Sequence, residues 1–328
     1  MPQGRRPTFL IGGVPVYGEL ALAPMAGFSD LPFRVLCREF GSALDYIPFV
    51  SDEAVIRKVR RGEKAVDWHP KERPVIVQLV SKDEARLAEA GRLLEEAGAD
   101  ILDLNLGCPA RKVAGRGKGA GLLREPAKVE RLLTSLVQAV SIPVMAKIRL
   151  GWDDSQRNYL EVARIVEGSG AAAIAVHGRT KEQGFSGRAD WQAIAEVKQA
   201  VGIPVLANGD VRCVADIEAI KAQTGCEGVL IGRGAIGNPW IFARRDISEV
   251  PYEERLSVIR RHLRLMVSYY GERMGVVLFR KHVVKYIQGL PGAAALRPRL
   301  VHCETAAELL HVLEQWGVER VSALEKLG

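Results

Sequence analysis

Short runs of apolar residues recur along the first three-quarters of the chain. Each run is four to seven residues long and nearly continuous, without the strict alternation of a half-exposed strand. This pattern is typical of strands that are buried on both faces of a parallel sheet. We therefore predict eight strands, at residues 20–25, 44–50, 75–80, 101–106, 144–150, 173–177, 205–208 and 228–231.

Segments with the spacing of amphipathic helices lie between these runs. The segment 82–97 begins after Ser81, a residue type suited to capping a helix, and stops at Gly98. Strands and helices that alternate eight times over about 240 residues indicate an α/β fold, the (β/α)8 TIM barrel. A doubly wound open sheet is the alternative, but it does not need eight evenly spaced strands. Further helices are expected at 130–140, 159–168, 191–201 and 214–223.

The pattern changes after Ala243, where helical periodicity continues without strand-like runs. Three helices are expected there, at 251–270, 276–289 and 306–327. We therefore predict a catalytic barrel domain over residues 1–245 and a small C-terminal all-helical domain over residues 246–328.

Positive charge is concentrated in this helical tail. The whole chain has a net charge of +7, yet the stretch from Arg255 to Arg299 holds ten basic residues and a single acidic one, Glu272. A local positive field of this kind suits a polyanion such as nucleic acid. A solvated helix face is the alternative interpretation.

The composition excludes several other classes of protein. The chain has 328 residues, of which 48% are hydrophobic and 26% charged, and this is typical of a folded globular protein. No apolar run approaches the ~20 residues that span a bilayer, and the first seven residues lack the apolar stretch of a secretory signal. We therefore expect a cytoplasmic protein. The five cysteines form no C-x-x-C pair, which argues against a disulfide framework or a structural zinc site.

Polar residues stand at the carboxyl ends of the predicted strands, where barrel enzymes build their active sites. Ionisable groups are costly in a core, so their presence at six strand ends indicates a site. The first strand ends in Pro24, Met25 and Ala26. The other candidates are Gln78, Asn105, Cys108, Lys147, Arg149, His177, Arg179, Asn208, Gly209, Asp210, Gly232 and Arg233.

The last two strand ends have the features of a phosphate site. Glycines let backbone N–H groups approach an anion, and an arginine can bind phosphate with two hydrogen bonds. Ordinary βα turns are the alternative. This prediction concerns the tripeptides at 208–210 (Asn-Gly-Asp) and 232–234 (Gly-Arg-Gly).

Lys147 lies deep in an apolar strand and could act in two ways. It could form a Schiff base, as in a barrel aldolase, or stabilise negative charge on a cofactor ring. Gln78 favours the second role, because an amide both donates to and accepts from the edge of a planar heterocycle. With the phosphate site, these residues predict a seat for flavin mononucleotide (FMN). The glycines at 115–119 follow no strand and are not a dinucleotide-binding fingerprint.

Cys108 follows the fourth strand in a loop over the expected site. A thiol with a reference pKa of ~8.5 keeps its proton at neutral pH and can donate it. The next residues include Arg111, Lys112, Arg116 and Lys118 among glycines, so we predict a mobile basic lid for a phosphate backbone. For the other cysteines we expect a packing role: Cys37, Cys213, Cys226 and Cys303.

At these residues the sequence resembles the tRNA-dihydrouridine synthases over almost the whole chain. The individual motifs are short, but their order and spacing are highly specific. The segment 152–154 (Trp-Asp-Asp) and the Asn-Gly-Asp pattern are most similar to the bacterial B-type branch, whereas the basic loop after Cys108 is less typical of it. The motifs that carry the resemblance stand at 23–30, 105–109, 147–151, 177–180, 207–210, 232–234 and 279–282.

The resemblance implies an FMN-dependent barrel that reduces selected uridines in tRNA with NADPH. Hydride from reduced FMN would go to C6 of an everted uridine, and Cys108 would donate a proton to C5. It also implies Pro24, Met25 and Ala26 under the flavin ring, Gln78 and Lys147 at its edge, His177 nearby, and the phosphate on Asn208, Gly209, Asp210, Gly232 and Arg233. The residues assigned to the target base or to RNA are Asn105, Arg111, Lys112, Arg149, Arg179, Arg280, Lys281, His282 and Lys285. We expect a monomer without a metal.

Three other classes are weighed against this interpretation. A free-pyrimidine dehydrogenase such as a dihydroorotate oxidase shares barrel, FMN and an active-site Cys or Ser, but has no use for a basic helical appendage. An aldolase would be colourless and would be trapped by borohydride through Lys147. A non-catalytic RNA-binding protein built on a barrel that has lost its activity would have no reason to keep buried charge at the strand ends.

Overall fold

A closed barrel of eight parallel strands forms the first part of the molecule. The computed structural model describes residues 6–325, with side chains as far as residue 319. Each strand pairs with the next along the chain, and the last pairs with the first, which confirms the predicted TIM barrel and excludes an open sheet. The strands are β3 (Leu20–Leu22), β4 (Leu44–Ser51), β5 (Val75–Val80), β6 (Ile101–Leu106), β7 (Val144–Arg149), β8 (Ala173–His177), β9 (Val205–Asn208) and β10 (Gly228–Ile231).

A short antiparallel hairpin precedes the barrel. Its strands are β1 (Phe9–Ile11) and β2 (Val14–Val16), which the hydrophobic pattern did not predict. Phe9, Ile11 and Val16 belong to the same buried cluster as inward-facing residues from the starts of the barrel strands. The hairpin therefore closes the amino-terminal end of the barrel.

Helices cover the outside of the barrel; five of them overlap the predicted segments, and those at Leu31–Glu39, Asp52–Arg60 and Arg111–Ala114 were not predicted. The predicted cap of the third helix is wrong: Asp83, not Ser81, accepts the N–H of Arg86 at 2.9 Å and caps the helix. Ser81 instead donates its hydroxyl to Asp52. The helices are α1 (Leu31–Glu39), α2 (Asp52–Arg60), α3 (Glu84–Glu96), α4 (Arg111–Ala114), α5 (Pro126–Ala139), α6 (Tyr159–Gly168), α7 (Trp191–Ala200) and α8 (Val214–Thr224).

The chain divides into two compact units between Gly232 and Arg233. The second unit begins with 3-10 turns at Arg233–Ala235, Pro239–Ala243 and Ile247–Glu249. The assignment of residues 246–328 to RNA binding remains a prediction. Within residues 6–325 no helix combines the length and apolar character needed to cross a membrane. The helices of the second unit are α9 (Tyr252–Tyr270), α10 (Glu272–Tyr286), α11 (Ala293–His302) and α12 (Ala306–Glu325).

Candidate active site at the carboxyl end of the barrel

The barrel interior changes from apolar to polar along the strands. Because side chains alternate with a period of two, the residue two positions after each inward apolar residue also points inward. The apolar layer contains Ile76, Ile101, Met145, Ala175, Leu206 and Leu230. The positions that follow it are Gln78, Asp103, Lys147, His177, Asn208 and Gly232. The structure thus places five of the nominated residues in one layer, together with Asp103.

A chain of hydrogen bonds runs from the barrel interior to the cysteine loop. Gln78 Nε2 donates to Asp103 Oδ2 at 2.6 Å, and Asn105 Nδ2 donates to Gln78 Oε1 at 2.7 Å. Asn105 Oδ1 then accepts the backbone N–H of Cys108 at 2.9 Å. Asp103 Oδ2 accepts from Gln78, so the other end of the Gln78 amide faces Asn105. These contacts therefore fix the backbone at Cys108.

Two oppositely charged groups in this layer both titrate near neutrality. Burial raises the pKa of Asp103 to about 7, against the lowering effects of its bond from Gln78 and the charge of Lys147. Burial, and then the charge of Arg149, lowers the pKa of Lys147 to about 7. Lys147 Nζ donates to Asn208 Oδ1 at 2.9 Å, and Asn208 Nδ2 donates to the Leu230 carbonyl. Asn208 therefore holds the amino group in place.

Cys108 is partly exposed, whereas Cys37, Cys226 and Cys303 are buried. Burial raises the pKa of the Cys108 thiol above its ordinary value, against smaller lowering effects of the Ala110 N–H and the Arg149 charge. The sulfur is therefore protonated at neutral pH, and these two groups stabilise the thiolate once the proton has left. Cys213, the fifth cysteine, is partly exposed at the start of α8.

The basic loop after Cys108 is attached to the barrel at one of its lysines. Lys118 Nζ lies 3.4 Å from Asp52 Oδ1 and 3.5 Å from Glu53 Oε1, and its side chain is 14% exposed. Lys118 is therefore an anchor rather than a free cation. Arg111 and Lys112, on the short helix α4, are exposed and can meet an anion. The mobility of this loop stays a prediction.

Two buried arginines brace the loops at the carboxyl end of the barrel. Arg149 donates Nε to the Gly107 carbonyl at 2.8 Å, and its Nη1 donates to two further carbonyls. Arg179 pairs with Asp210 at 2.6 Å and is fully buried, while Arg149 is 2% exposed. The structure gives both guanidinium groups a bracing role, and direct contact with a substrate stays a prediction.

The turn after β9 is built from an unusual pair of backbone conformations. Gly209 has φ +129°, and a Cβ there would lie 2.6 Å from the Ala189 Cβ, so only glycine fits. Asp210 has φ +58°, and its carboxylate accepts from Arg179 and from the Ala189 N–H at 2.7 Å. This carboxylate would repel a phosphate, so any phosphate contact of Asp210 would come from its backbone.

The residues at the other strand ends differ in exposure. At Gly232 an added Cβ would lie 3.5 Å from Met25 Sδ and 3.7 Å from the Ala23 Cβ, so this strand end lies close to Met25. Pro24 and Met25 are partly exposed and Ala26 is exposed, while His177 is 6% exposed. Small and apolar residues at these strand ends, together with the amine of Lys147, are the residue types that suit a flat, anionic ring. Arg233 is exposed and belongs to the second unit.

Of the residues in the second unit that were assigned to RNA, some are exposed and others are buried in its core. Arg280 Nη2 donates to the Cys303 carbonyl at 2.6 Å, and His282 is fully buried with its ring 4.7 Å from that of His262. His282 is therefore a core residue, which corrects its assignment as an RNA contact, because its ring packs inside the helical unit. Lys285 is exposed and Lys281 is partly exposed, so these two can meet RNA.

Sequence reasoning missed two residues of this site. Asp103 was placed inside the predicted strand 101–106 without a role; its charge among apolar neighbours, two residues before Asn105, was a usable signal. Phe185 lies in the loop after β8, 56% exposed, with its ring 6.2 Å from that of His177. In the sequence, only its position between Gly184 and Gly187 could have indicated that Phe185 belongs to the site, and this is a weak signal.

Comparison with known proteins agrees with this picture. A family model described as dihydrouridine synthase matches residues 21–322. The tRNA-dihydrouridine synthase B of Pseudomonas aeruginosa is 39% identical over 318 residues, which cover 94% of this chain and 96% of that protein. The probable tRNA-dihydrouridine synthase of Rickettsia prowazekii is 38% identical over 296 residues, which cover 88% and 90% of the two chains.

Two solved structures share the fold at low sequence identity. Histamine dehydrogenase from Rhizobium sp. 4-9 has a TM-score of 0.54 and 13% identity, over 78% of this chain and 50% of that one. A 2-naphthoyl-CoA reductase has a TM-score of 0.56 and 10% sequence identity, and the match covers 72% of this chain and 51% of the reductase. Both likenesses concern the fold alone.

Proposed function

Because this chain belongs to the dihydrouridine synthase family, we propose that it is an FMN-dependent tRNA-dihydrouridine synthase. It reduces the C5=C6 bond of specific uridines in tRNA, with NADPH as the reductant. The observation that carries the proposal is the partly exposed thiol of Cys108 at the end of a polar barrel layer that contains Lys147, with the Cys108 backbone N–H donating to Asn105.

The barrel mouth would hold the flavin through residues from several strand ends. Met25 and Ala26 would lie under the ring, near Gly232, and Lys147 would meet its anionic edge. The bound flavin supplies the hydride for C6 of uracil. Negative charge beside Lys147 would raise the pKa of this amine from about 7, so binding would keep the amine protonated. Asn208 would keep it in place.

Cys108 would supply the proton for C5. Its raised pKa keeps hydrogen on sulfur at neutral pH, and the S–H bond breaks as the C5–H bond forms. The electron pair left on sulfur is stabilised by the nearby charge of Arg149 and by the Ala110 N–H. Solvent then returns the proton before the next turnover.

The uridine would have to leave its stack to reach this site, because a stacked base cannot enter a barrel mouth. Arg111 and Lys112 beside the cysteine loop would bind the phosphates on either side of it. Lys281 and Lys285 of the second unit would add contacts elsewhere on the RNA.

The lowered pKa of Lys147 favours one other activity, Schiff-base chemistry, because an unprotonated amine is the nucleophile in barrel aldolases. Borohydride reduction with a carbonyl substrate distinguishes the two. A colourless protein that is trapped covalently at Lys147 supports the aldolase; a yellow protein with a flavin spectrum supports the synthase.

The decisive experiment uses purified protein, unmodified tRNA and NADPH, with mass mapping of the RNA afterwards. We expect particular uridines to gain two hydrogens. Free uracil should neither react nor compete, which separates the synthase from a free-pyrimidine dehydrogenase. A yellow protein that oxidises NADPH but leaves every uridine of the tested tRNA pool unchanged would contradict the proposal.

A further inference from the structure

The loop after β8 is held rigidly over the barrel mouth. Arg149 Nη1 donates to the carbonyls of Thr180 and Gly184, both at 2.9 Å. Arg179 donates to the carbonyls of Ser186 and Gly187, at 2.9 and 2.7 Å. Four carbonyls within eight residues are thus bound by two buried guanidinium groups. Such bonds to charged donors are stronger than ordinary ones, so the loop is pre-organised.

Phe185 stands at the tip of this loop, between the two braced segments. Gly184 and Gly187 have φ +56° and +62°, the left-handed conformation that lets the chain turn on each side of it. The ring is 56% exposed, and its centroid lies 5.5 Å from the Arg149 guanidinium. A single exposed aromatic is ordinary on a protein surface. This one differs because its backbone is fixed by charged groups of the candidate site.

Arg149 also links Phe185 to the reactive cysteine. The same guanidinium that binds the Gly184 carbonyl donates to the carbonyl of Gly107 at 2.8 Å. Gly184 precedes Phe185 and Gly107 precedes Cys108, so one buried guanidinium anchors the backbone next to both the ring and the thiol.

We propose that Phe185 stacks against a nucleobase that flanks the target uridine in the RNA. This inference rests on the proposed function. In that reaction the two faces of the reacting uracil are occupied by the hydride donor and the thiol, which leaves no face for a third group. Eversion of the uridine also removes a stacking partner from its neighbours. An aromatic ring at the rim of the site replaces that partner, and base–aromatic stacking tolerates any base.

The test compares an aromatic and an aliphatic substitution of Phe185. Phe185→Leu keeps an apolar side chain of similar size without the ring face, and Phe185→Trp keeps the ring face. We expect Phe185→Leu to raise KM for tRNA about tenfold, within the roughly 5- to 150-fold worth of one stacked base. Phe185→Trp should keep KM within about twofold of the unmodified enzyme. In both variants flavin content and the rate of flavin reduction by NADPH without RNA should be unchanged.

Leu10 provides a matched control, since it is 49% exposed on the hairpin at the other end of the barrel. Leu10→Ala should leave KM unchanged. An unaltered KM in Phe185→Leu, or equal impairment of the Leu and Trp variants, would overturn the stacking role alone. If the enzyme without substitutions converts no uridine, both the proposed function and this inference are wrong. This result differs from the KM results above, which would overturn the stacking role alone.

Discussion

Asp45 and Asp103 are two buried carboxylates of this barrel whose pKa values are raised alike but whose hydrogen-bond partners differ. Burial raises the pKa of both Asp45 and Asp103 to about 7. Asp45 lies at the start of β4, where it accepts from the Ser42 hydroxyl at 2.6 Å. Asp103 lies in the polar layer and orients Gln78. A perturbed pKa alone therefore does not identify the site; the hydrogen bonds that leave the carboxylate do.

Replacement of Asp103 by Asn should disturb the cysteine loop. The new amide can donate as well as accept, so Gln78 and Asn105 lose their fixed orientation. We expect kcat to fall about 10- to 100-fold, a typical loss when a group that orients reactive residues is removed. Flavin content should be retained.

Asp45→Asn is the matched control for this change, because the side chain is equally buried and has the same raised pKa. It should alter thermal stability but leave kcat of the folded enzyme unchanged. Equal kinetic losses in the two variants would show that Asp103 has no special relation to Cys108.

Under the proposed function, removal of the Cys108 thiol should affect turnover more than binding. For Cys108→Ala we expect normal flavin and tRNA binding and a kcat lower by about 10²- to 10⁴-fold, the range for loss of a general acid. Single-turnover formation of dihydrouridine measures this directly. Cys213→Ala, at another partly exposed cysteine, should behave like the unmodified enzyme. Full activity of Cys108→Ala would refute the assignment.

At the scale of elements, continuous apolar runs predicted the barrel strands closely. β5, β6, β8, β9 and β10 have the predicted bounds. β3 ends at Leu22 rather than at residue 25, before Pro24, which has no N–H to donate to a neighbouring strand. The polar layer follows from the same two-residue period, so much of the candidate site could be predicted once the strands were known.

The hairpin strands, helix α11 and the contacts of the two buried arginines could not be predicted, because the local sequence pattern does not indicate them. The strands β1 and β2 are three residues each, and β2 contains Pro15, so no alternation could be recognised. Helix α11 was missed because it has ten residues with Pro298 inside. The bracing roles of Arg149 and Arg179 depend on carbonyls more than 30 residues away or in an irregular loop, which no local pattern reports.

The packing of α9 and α10 should make the helical unit sensitive to acid. Burial lowers the pKa of His262 to about 3 and that of His282 well below its usual value, with the charge of Lys281 acting in the same direction. Both rings are neutral when folded but take up protons when unfolded, below pH 6.5. Unfolding is therefore favoured as the pH falls from about 6.5 towards 3.

Thermal melts of the full chain between pH 7 and 4 measure this effect. We expect the melting temperature to fall with pH, and to fall less in His282→Leu, which removes one of the buried bases. His311 is exposed, so His311→Gln should leave the pH dependence unchanged. The same slope in the His282 and His311 variants would exclude a contribution from His282.

At the scale of the whole molecule, counting the basic residues from Arg255 to Arg299 overstated how many of them are exposed and able to contact RNA. Arg255 is 4% exposed and donates to the Val250 carbonyl at 3.0 Å, and Arg280 is bound to the Cys303 carbonyl. These two of the ten basic residues stabilise the helical unit itself. Composition reports how many cations a segment has, but only packing shows which of them face solvent.

An exposed lysine of α10 should contribute to the salt dependence of RNA binding. If Lys285 contacts a phosphate, Lys285→Ala should reduce the slope of log affinity against log salt concentration by about 0.7–0.9. Titrations of tRNA at several salt concentrations measure it. Lys198 is ion-paired with Glu227 at 2.6 Å, so Lys198→Ala should keep the full slope. An unchanged slope in Lys285→Ala would exclude a phosphate contact.

The hairpin that seals the barrel with Phe9, Ile11 and Val16 has a kinetic consequence. A pocket with one entrance admits one bulky molecule at a time. Under the proposed function, the pyridine nucleotide and the RNA must then visit in alternation, each leaving before the other arrives. Initial rates at several fixed concentrations of each should accordingly give parallel double-reciprocal lines, and intersecting lines would mean that both reactants are accommodated together.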